Sequence, residues 1–153
     1  MTRGDISRRV VADRVQWIEN MIANIRELPV ENIDDFFADP RNALACESCL
    51  RRALEALLDL GRHIQAKKFG QAVEEYREIG PALARVRLIP DNQVQILRNM
   101  AGYRNRMVHF YHGDSNEEIR TICTDHLGDI ELVLTTMKKW IGDQLLEGSS
   151  GDV

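Results

Sequence analysis

A chain of 153 residues, 44% hydrophobic and 29% charged, has the composition of an ordinary globular domain. Disordered, collagen-like and membrane-spanning classes are excluded, and a domain of this length removes about 70% of its unfolded surface from water. With 24 acidic and 20 basic side chains the net charge is −4, which argues against a protein that coats polyanions indiscriminately but leaves room for a local basic site.

In chain order, Val11, Val15, Ile18, Ile22 and Ile25 recur at steps of four and three, the buried face of one helix. Leu28-Pro29 ends it, because proline pushes the preceding residue out of the helical region. Asn32 to Phe37 fits a single helical turn. Asp39-Pro40 reads as an N-cap followed by proline at the first helical position. The helix it opens carries Ala43, Cys46, Leu50, Ala53, Leu57 and Ile64, widened by Leu54, Leu58 and Leu60, passes through Gly61 and stops at Gly70. A helix is expected over Gln71 to Leu88, kinked or divided at Gly80-Pro81. Pro90-Asp91 opens the next, expected to continue to about Tyr111 and stop at Gly113.

Ser115 with Glu118 three residues later has the form of a capping box. The helix after it directs Ile119, Ile122, Cys123, His126, Ile130, Val133, Met137 and Ile141 inward. The tail from Glu147 to Gly151 has nothing to bury and is expected to fray. No alternating strand pattern, internal repeat or low-complexity tract is present. The fold class expected is all-α, an up-down bundle of about five helices.

The segment from Asp91 to His112 departs from a plain amphipathic pattern. At about 100° per residue, Ile96, Met100, Tyr103, Met107 and Phe110 form one apolar side, extended by Leu97, Ala101 and Val108. Arg98, Gly102, Asn105, His109 and His112 fall opposite, and Arg104 and Tyr111 share the margin. Between Arg85 and His112 five arginines, Arg85, Arg87, Arg98, Arg104 and Arg106, face the single acid Asp91. The local charge of +4 leaves −8 on the remainder, a segregation that suits phosphate at one place only.

The string Arg104-Asn105-Arg106-Met107-Val108-His109-Phe110-Tyr111 resembles the Arg-x(4)-His-x-Tyr signature of the HepT-like proteins, a branch of the HEPN superfamily. In that superfamily an arginine and a polar residue precede a histidine four to six positions after the arginine. Arg51 to Leu60, before Arg62-His63-Ile64, is similar to the family's second helix, and Met100 to Asn105 to its approach to the motif. The resemblance spans roughly residues 8 to 145. It implies a single HEPN-like helical domain, whose expected limits are 1–147, and a homodimer; the composition of the tail makes 148–153 an expected disordered end.

It further implies the toxin of a type VII-like toxin–antitoxin system, a metal-independent endoribonuclease with no cofactor. The expected partners are RNA and an MntA-like nucleotidyltransferase antitoxin that transfers AMP to the motif tyrosine. Arg104 and His109 would be catalytic, Asn105 supporting and Tyr111 the AMP acceptor, with Arg98, Arg106 and His112 as candidate RNA contacts. The alternative is a non-catalytic helical module that docks a nucleotidyltransferase or a nucleotide.

The residue chemistry agrees. Cleavage through the 2′-hydroxyl of RNA needs proton transfers, for which imidazole is suited, and positive charge at the phosphorane, for which guanidinium is suited. On an ideal helix Arg104 and His109 sit roughly 140° apart, so two copies related by a two-fold axis would gather the groups that one copy spreads. Gly102 would let such helices approach closely.

Cys46-x(2)-Cys49 and Cys123-x(2)-His126 have the spacing of zinc ligands. The same spacing follows from core periodicity, so buried reduced thiols are expected and no metal. The opening residues MTRGDISRR lack the apolar stretch of a signal peptide, and three cysteines cannot all pair. A reducing, cytoplasmic setting without membrane association is therefore expected. His63 is read as a surface or packing residue, and Trp17 and Trp140 as packing or interface residues.

Overall fold

A computed structural model describes residues 6–109 and 115–151, with side chains described to residue 144. The described residues form helices and no strand: α1 (Arg8–Arg26), α2 (Ile33–Ala38), α3 (Arg41–Phe69), α4 (Ile79–Arg85), α5 (Val94–Met107), α6 (Ser115–Thr121) and α7 (Leu127–Gly151). Short 3-10 turns, Tyr76–Glu78 and Asp91–Gln93, precede α4 and α5, and a π-helical turn, Ile122–His126, joins α6 to α7. The all-α class is as the periodicity predicts, with α6, the π turn and α7 forming the expected last helix. The α7 backbone continues through Gly151, past the expected domain limit at residue 147.

Local chemistry sets the ends of the first three helices. Ser7 accepts the Val10 N–H at 3.3 Å at the start of α1, and Asn32 accepts the Asp35 N–H at 3.0 Å at the start of α2. Asp39 accepts the Arg41 N–H at 3.0 Å where α3 begins, satisfying amides that have no partner within the helix. Gly70, at φ 63°, ends α3 in the left-handed conformation that only glycine adopts without a steric penalty.

α3 is the spine. Cys46, Leu50, Ala53, Leu54, Leu57, Leu58, Leu60 and Ile64 are all buried along it, and it packs against α1, α2, α4, α5 and α6. Val11, Ile18, Ile22 and Ile25 of α1 cover one side. Arg26 donates to the Glu131 carboxylate through Nη1 and Nη2 and Lys138 meets Glu19 at 2.8 Å, tying α1 to α7.

Four expectations are corrected. No helix fills 71–88: residues 71–75 run as a loop that folds Val73 against the core, and α4 is only Ile79–Arg85. Gly80 is a contact point and not a kink, because a Cβ there would lie 3.0 Å from Leu97 Cβ and 3.1 Å from the Val94 carbonyl oxygen. Pro81 falls in the first turn, where its missing N–H costs no helical bond. The helix closes with Leu88 N–H on the Leu83 carbonyl and Arg87 at φ 60°, a Schellman arrangement with arginine in glycine's usual place.

The second correction is that α5 ends at Met107, four residues before Tyr111. The His109 N–H bonds the Arg106 carbonyl at 2.9 Å, a tightened three-residue step, and Val108 is exposed where an apolar contact was expected. The expected stop at Gly113 and the apolar role of Phe110 lie outside the described residues.

Third, Ser115 and Glu118 make no capping box. Ser115 is already within α6, and Glu118 is bound by Arg106. Fourth, His126 is only half-buried; it stacks near Tyr103, with ring centroids 5.7 Å apart, and turns to Asp129 at 3.3 Å.

The two kinds of helical glycine give opposed expectations. Gly80→Ala should cost about 1–3 kcal/mol through overpacking against α5, or roughly 2–4 °C of melting temperature per kcal/mol. Gly142→Ala, with no atom within 4 Å of the added Cβ, should stabilise α7 by about 0.5–1 kcal/mol. Thermal unfolding followed by circular dichroism checks both.

Candidate active site

Leu97, Met100, Ala101 and Met107 turn α5 toward the core. Arg104, three, four and seven residues from them, falls on the same stripe near the end of α5, half-buried against α3 and the Tyr76–Glu78 turn. Its Nε donates to Glu55 Oε1 at 3.2 Å and its Nη1 reaches Asn105 Oδ1 at 3.4 Å. The guanidinium carbon lies 5.0 Å from the centre of the Tyr76 ring, within the range of cation–π attraction. Nη2 has no partner among the described residues.

The same tyrosine is held from several sides. Arg62 lies over its ring at 4.7 Å, and its hydroxyl donates to Asp59 Oδ1 at 3.0 Å. Arg62 also meets Asp59 at 3.5 Å and donates to the Glu74 carbonyl. Burial, then the bond to Asp59, pushes the Tyr76 hydroxyl above its ordinary range against the opposing pull of the two arginines, so it stays a neutral donor. Arg104, Asn105, Arg62, Tyr76, Arg77 and Glu75 line an open cleft of about 540 Å³.

The motif residues do not all converge within one chain. Arg104 and Asn105 line the cleft; His109 does not, standing exposed in the turn after α5. Arg98 lines a second cleft further along α5. Arg106 turns to the other flank, where it pairs with Glu118 at 2.6 Å and covers Tyr103 at 5.5 Å. Tyr111 and His112 lie outside the described residues.

Glu55, Asp59, Arg62 and Tyr76 were not read from the sequence as site residues. The first three had a signal, since steps of four and three put them on one stripe of α3. Tyr76 had none, because a loop-borne side chain has no period.

The cysteines are free thiols. Cys123 is pushed well above the usual thiol range by its hydrogen bond to Cys46 and by burial. The three cysteines neighbour one another, but His126 faces Tyr103 and Asp129 and does not complete a set of four with them, and no metal-holding group of three acid, thiol or imidazole side chains occurs among the described residues. His63 is partly buried, with Nε2 unpartnered; burial, then Arg14 and Lys67, depresses its basicity. Trp140 packs at 6.0 Å from Phe69, whereas Trp17 is exposed.

The fold and the motif at the end of α5 define a HEPN-type helical bundle. The family model of HepT-like ribonucleases matches residues 18–137, and the chain belongs to that family. A tri-AMPylated HEPN toxin of Shewanella oneidensis, in complex with MNT antitoxin, is 22% identical with a TM-score of 0.76, covering 88% of this chain and 99% of its own. A double aspartate-to-glutamate mutant of an MntA–HpeT toxin–antitoxin is 25% identical (TM-score 0.74; 86% and 99% covered). A toxin–antitoxin with AMP-PNP is 21% identical (0.75; 86% and 99%). No curated protein sequence matches. Among the described residues no helix is long and apolar enough to cross a membrane.

The Arg104–Glu55 pair is about 30% exposed on each side, so it should contribute well under 1 kcal/mol to folding. Glu55→Gln and Arg104→Ala should each move the melting temperature by no more than about 3 °C. A larger loss in calorimetry would make Arg104 a fold-holding residue instead of one free to serve a ligand.

Proposed function

We propose that this chain is the toxin of a two-component system, a homodimeric endoribonuclease that needs no metal and is silenced when a nucleotidyltransferase antitoxin adenylylates Tyr111. The observation that carries the reading is the state of Arg104. Its guanidinium is held by Glu55 and Tyr76, its Nη2 has no partner among the described residues, and the side chain lines an open cleft. A preorganised cation of this kind stabilises charge that develops on phosphate.

In the reaction, the RNA 2′-oxygen attacks the adjacent phosphorus and the bond to the 5′-oxygen breaks, leaving a 2′,3′-cyclic phosphate and a 5′-hydroxyl. One proton leaves the 2′-oxygen and one reaches the 5′-oxygen. His109 serves these transfers, Arg104 the equatorial oxygens, and Asn105 orients Arg104. The nucleophile belongs to the substrate, so the chemistry requires no metal. Within one chain His109 stands outside the Arg104 cleft, so a second copy supplies the histidine for each arginine. Gly102, half-exposed with only Arg106 near its missing Cβ, gives the smooth surface for that approach.

Silencing follows from the same charge. The Tyr111 oxygen attacks the α-phosphorus of ATP and pyrophosphate leaves. The AMP then adds bulk and a negative phosphodiester beside the arginine and histidine, opposing RNA by occlusion and by charge. The AMPylated Shewanella oneidensis toxin supports this step. The pairing of Arg104 with Glu55 also suits the other reading, a helical module that docks a nucleotidyltransferase or nucleotide and cuts nothing.

Incubation of the purified chain with RNA in excess chelator separates the two. Cleavage is expected, and Arg104→Ala and His109→Ala should each lower it by about 10²–10⁴-fold. No cleavage by the wild type supports the docking module; undiminished cleavage by both variants overturns the assignment of Arg104 and His109 as the catalytic pair. With antitoxin and ATP, Tyr111→Phe should take up no AMP and stay toxic; modification and neutralisation of that variant would overturn the tyrosine assignment.

A further inference from the structure

A second cleft adjoins the one beneath Arg104. It has a volume of about 630 Å³ and lies between α5, α4 and the 71–75 loop, with Arg77, Arg85 and Arg98 on its walls. Arg77 lines both clefts, so the two adjoin at its side chain. Arg77 is paired with Glu75 at 2.7 Å, but Arg85 and Arg98 are exposed and have no ion-pair partner among the described residues. Glu78 is the acid on this wall, and Val73, Pro81 and Ala82 form an apolar floor.

We propose that this groove holds the single-stranded RNA arm that flanks the scissile phosphate, with Arg85 and Arg98 gripping its phosphates. The inference rests on the ribonuclease reading above. A strand whose reacting phosphate sits at Arg104 has to leave along one flank of α5, and the two flanks differ in charge. On the far flank Arg106 is neutralised by Glu118; on the groove flank two guanidiniums remain open. From Arg104 to Arg98 the helix rises about 9 Å, a distance that roughly one or two nucleotides span. Guanidinium forks suit phosphate oxygens, and the apolar floor between them suits a ribose or base face. An acidic protein surface would answer to the same charge, but adjacency to the Arg104 cleft favours the strand.

The test uses the full chain carrying His109→Ala, so that binding is measured without cleavage. A short fluorescein-labelled single-stranded RNA of mixed sequence is titrated by anisotropy at several salt concentrations. Adding Arg85→Ala and Arg98→Ala together should weaken RNA binding on the order of tenfold and lower the salt dependence by roughly one to two phosphate contacts. Helix content should be unchanged, as should affinity for the antitoxin. Arg85→Lys with Arg98→Lys, which keeps the charge, should recover most of the binding. Unaltered RNA affinity in the alanine pair overturns the proposal, and if antitoxin affinity falls instead, the groove is the antitoxin's dock. A wild type that binds RNA through this groove but never cuts it would leave the groove standing and remove the ribonuclease reading alone.

Discussion

The candidate site depends on how one arginine is held. A guanidinium at the end of a buried helix stripe either lies along its apolar neighbours or is drawn into ion pairs and aromatic contacts. Arg104 takes the second course, with Glu55 on its Nε and Tyr76 under its plane. Each contact is modest, about 0.2–1 kcal/mol for a partly exposed ion pair and about 0.5–1 kcal/mol for an exposed cation–π contact. Such sums fix an orientation without carrying a fold. The fold rests on the apolar stripes of α3, whose largest side chains are completely buried. Stability and site geometry are therefore supported by different residues, and α3 provides both from opposite faces.

Charge segregation works on the same scale. The five arginines between Arg85 and Arg106 sit in a chain that is otherwise strongly acidic, so polyanions are attracted locally and repelled elsewhere. α5 sharpens this further, because Glu118 cancels Arg106 on one flank while Arg98 on the other has no ion-pair partner among the described residues. A helix that carries like charges along its length thus presents one attractive side. Direction along the surface, and not merely affinity, follows from which guanidiniums already have a carboxylate.

Much of the architecture was legible because burial imposes a period. α1, α3 and the α6–α7 rod were readable from apolar steps of three and four, and Gly70 and Asp39 marked ends that backbone chemistry requires. The 71–88 stretch misled for the same reason. Ile79, Ala82 and Leu83 are buried at helical steps, but Val73, six residues before Ile79, breaks the period and reaches the core from a loop after the left-handed Gly70. Glycine and proline at 80 and 81 looked like a break, whereas the short side is required by the approach of α5. In the site, Arg104, Asn105 and His109 stood out by their spacing. Their partners did not, since Glu55 and Asp59 acquire meaning only when α5 is laid against α3, and Tyr76 only when the loop is folded.

The end of α5 bears on why a spacing can define such a site at all. Were Arg104 and His109 on one continuous helix, a change of one residue between them would swing the histidine by about 100° and destroy any shared geometry. The helix instead stops at Met107, and the His109 amide closes a tighter turn on Arg106. The arginine is thus set by helix packing against α3 while the histidine is set by the turn that follows. A histidine presented from a turn can be moved by a residue without rotating around the rod. This accounts for a signature in which the interval from arginine to histidine runs from four to six positions. On the proposed reading, what brings the two groups together lies outside the helix, in a second copy set across the pair.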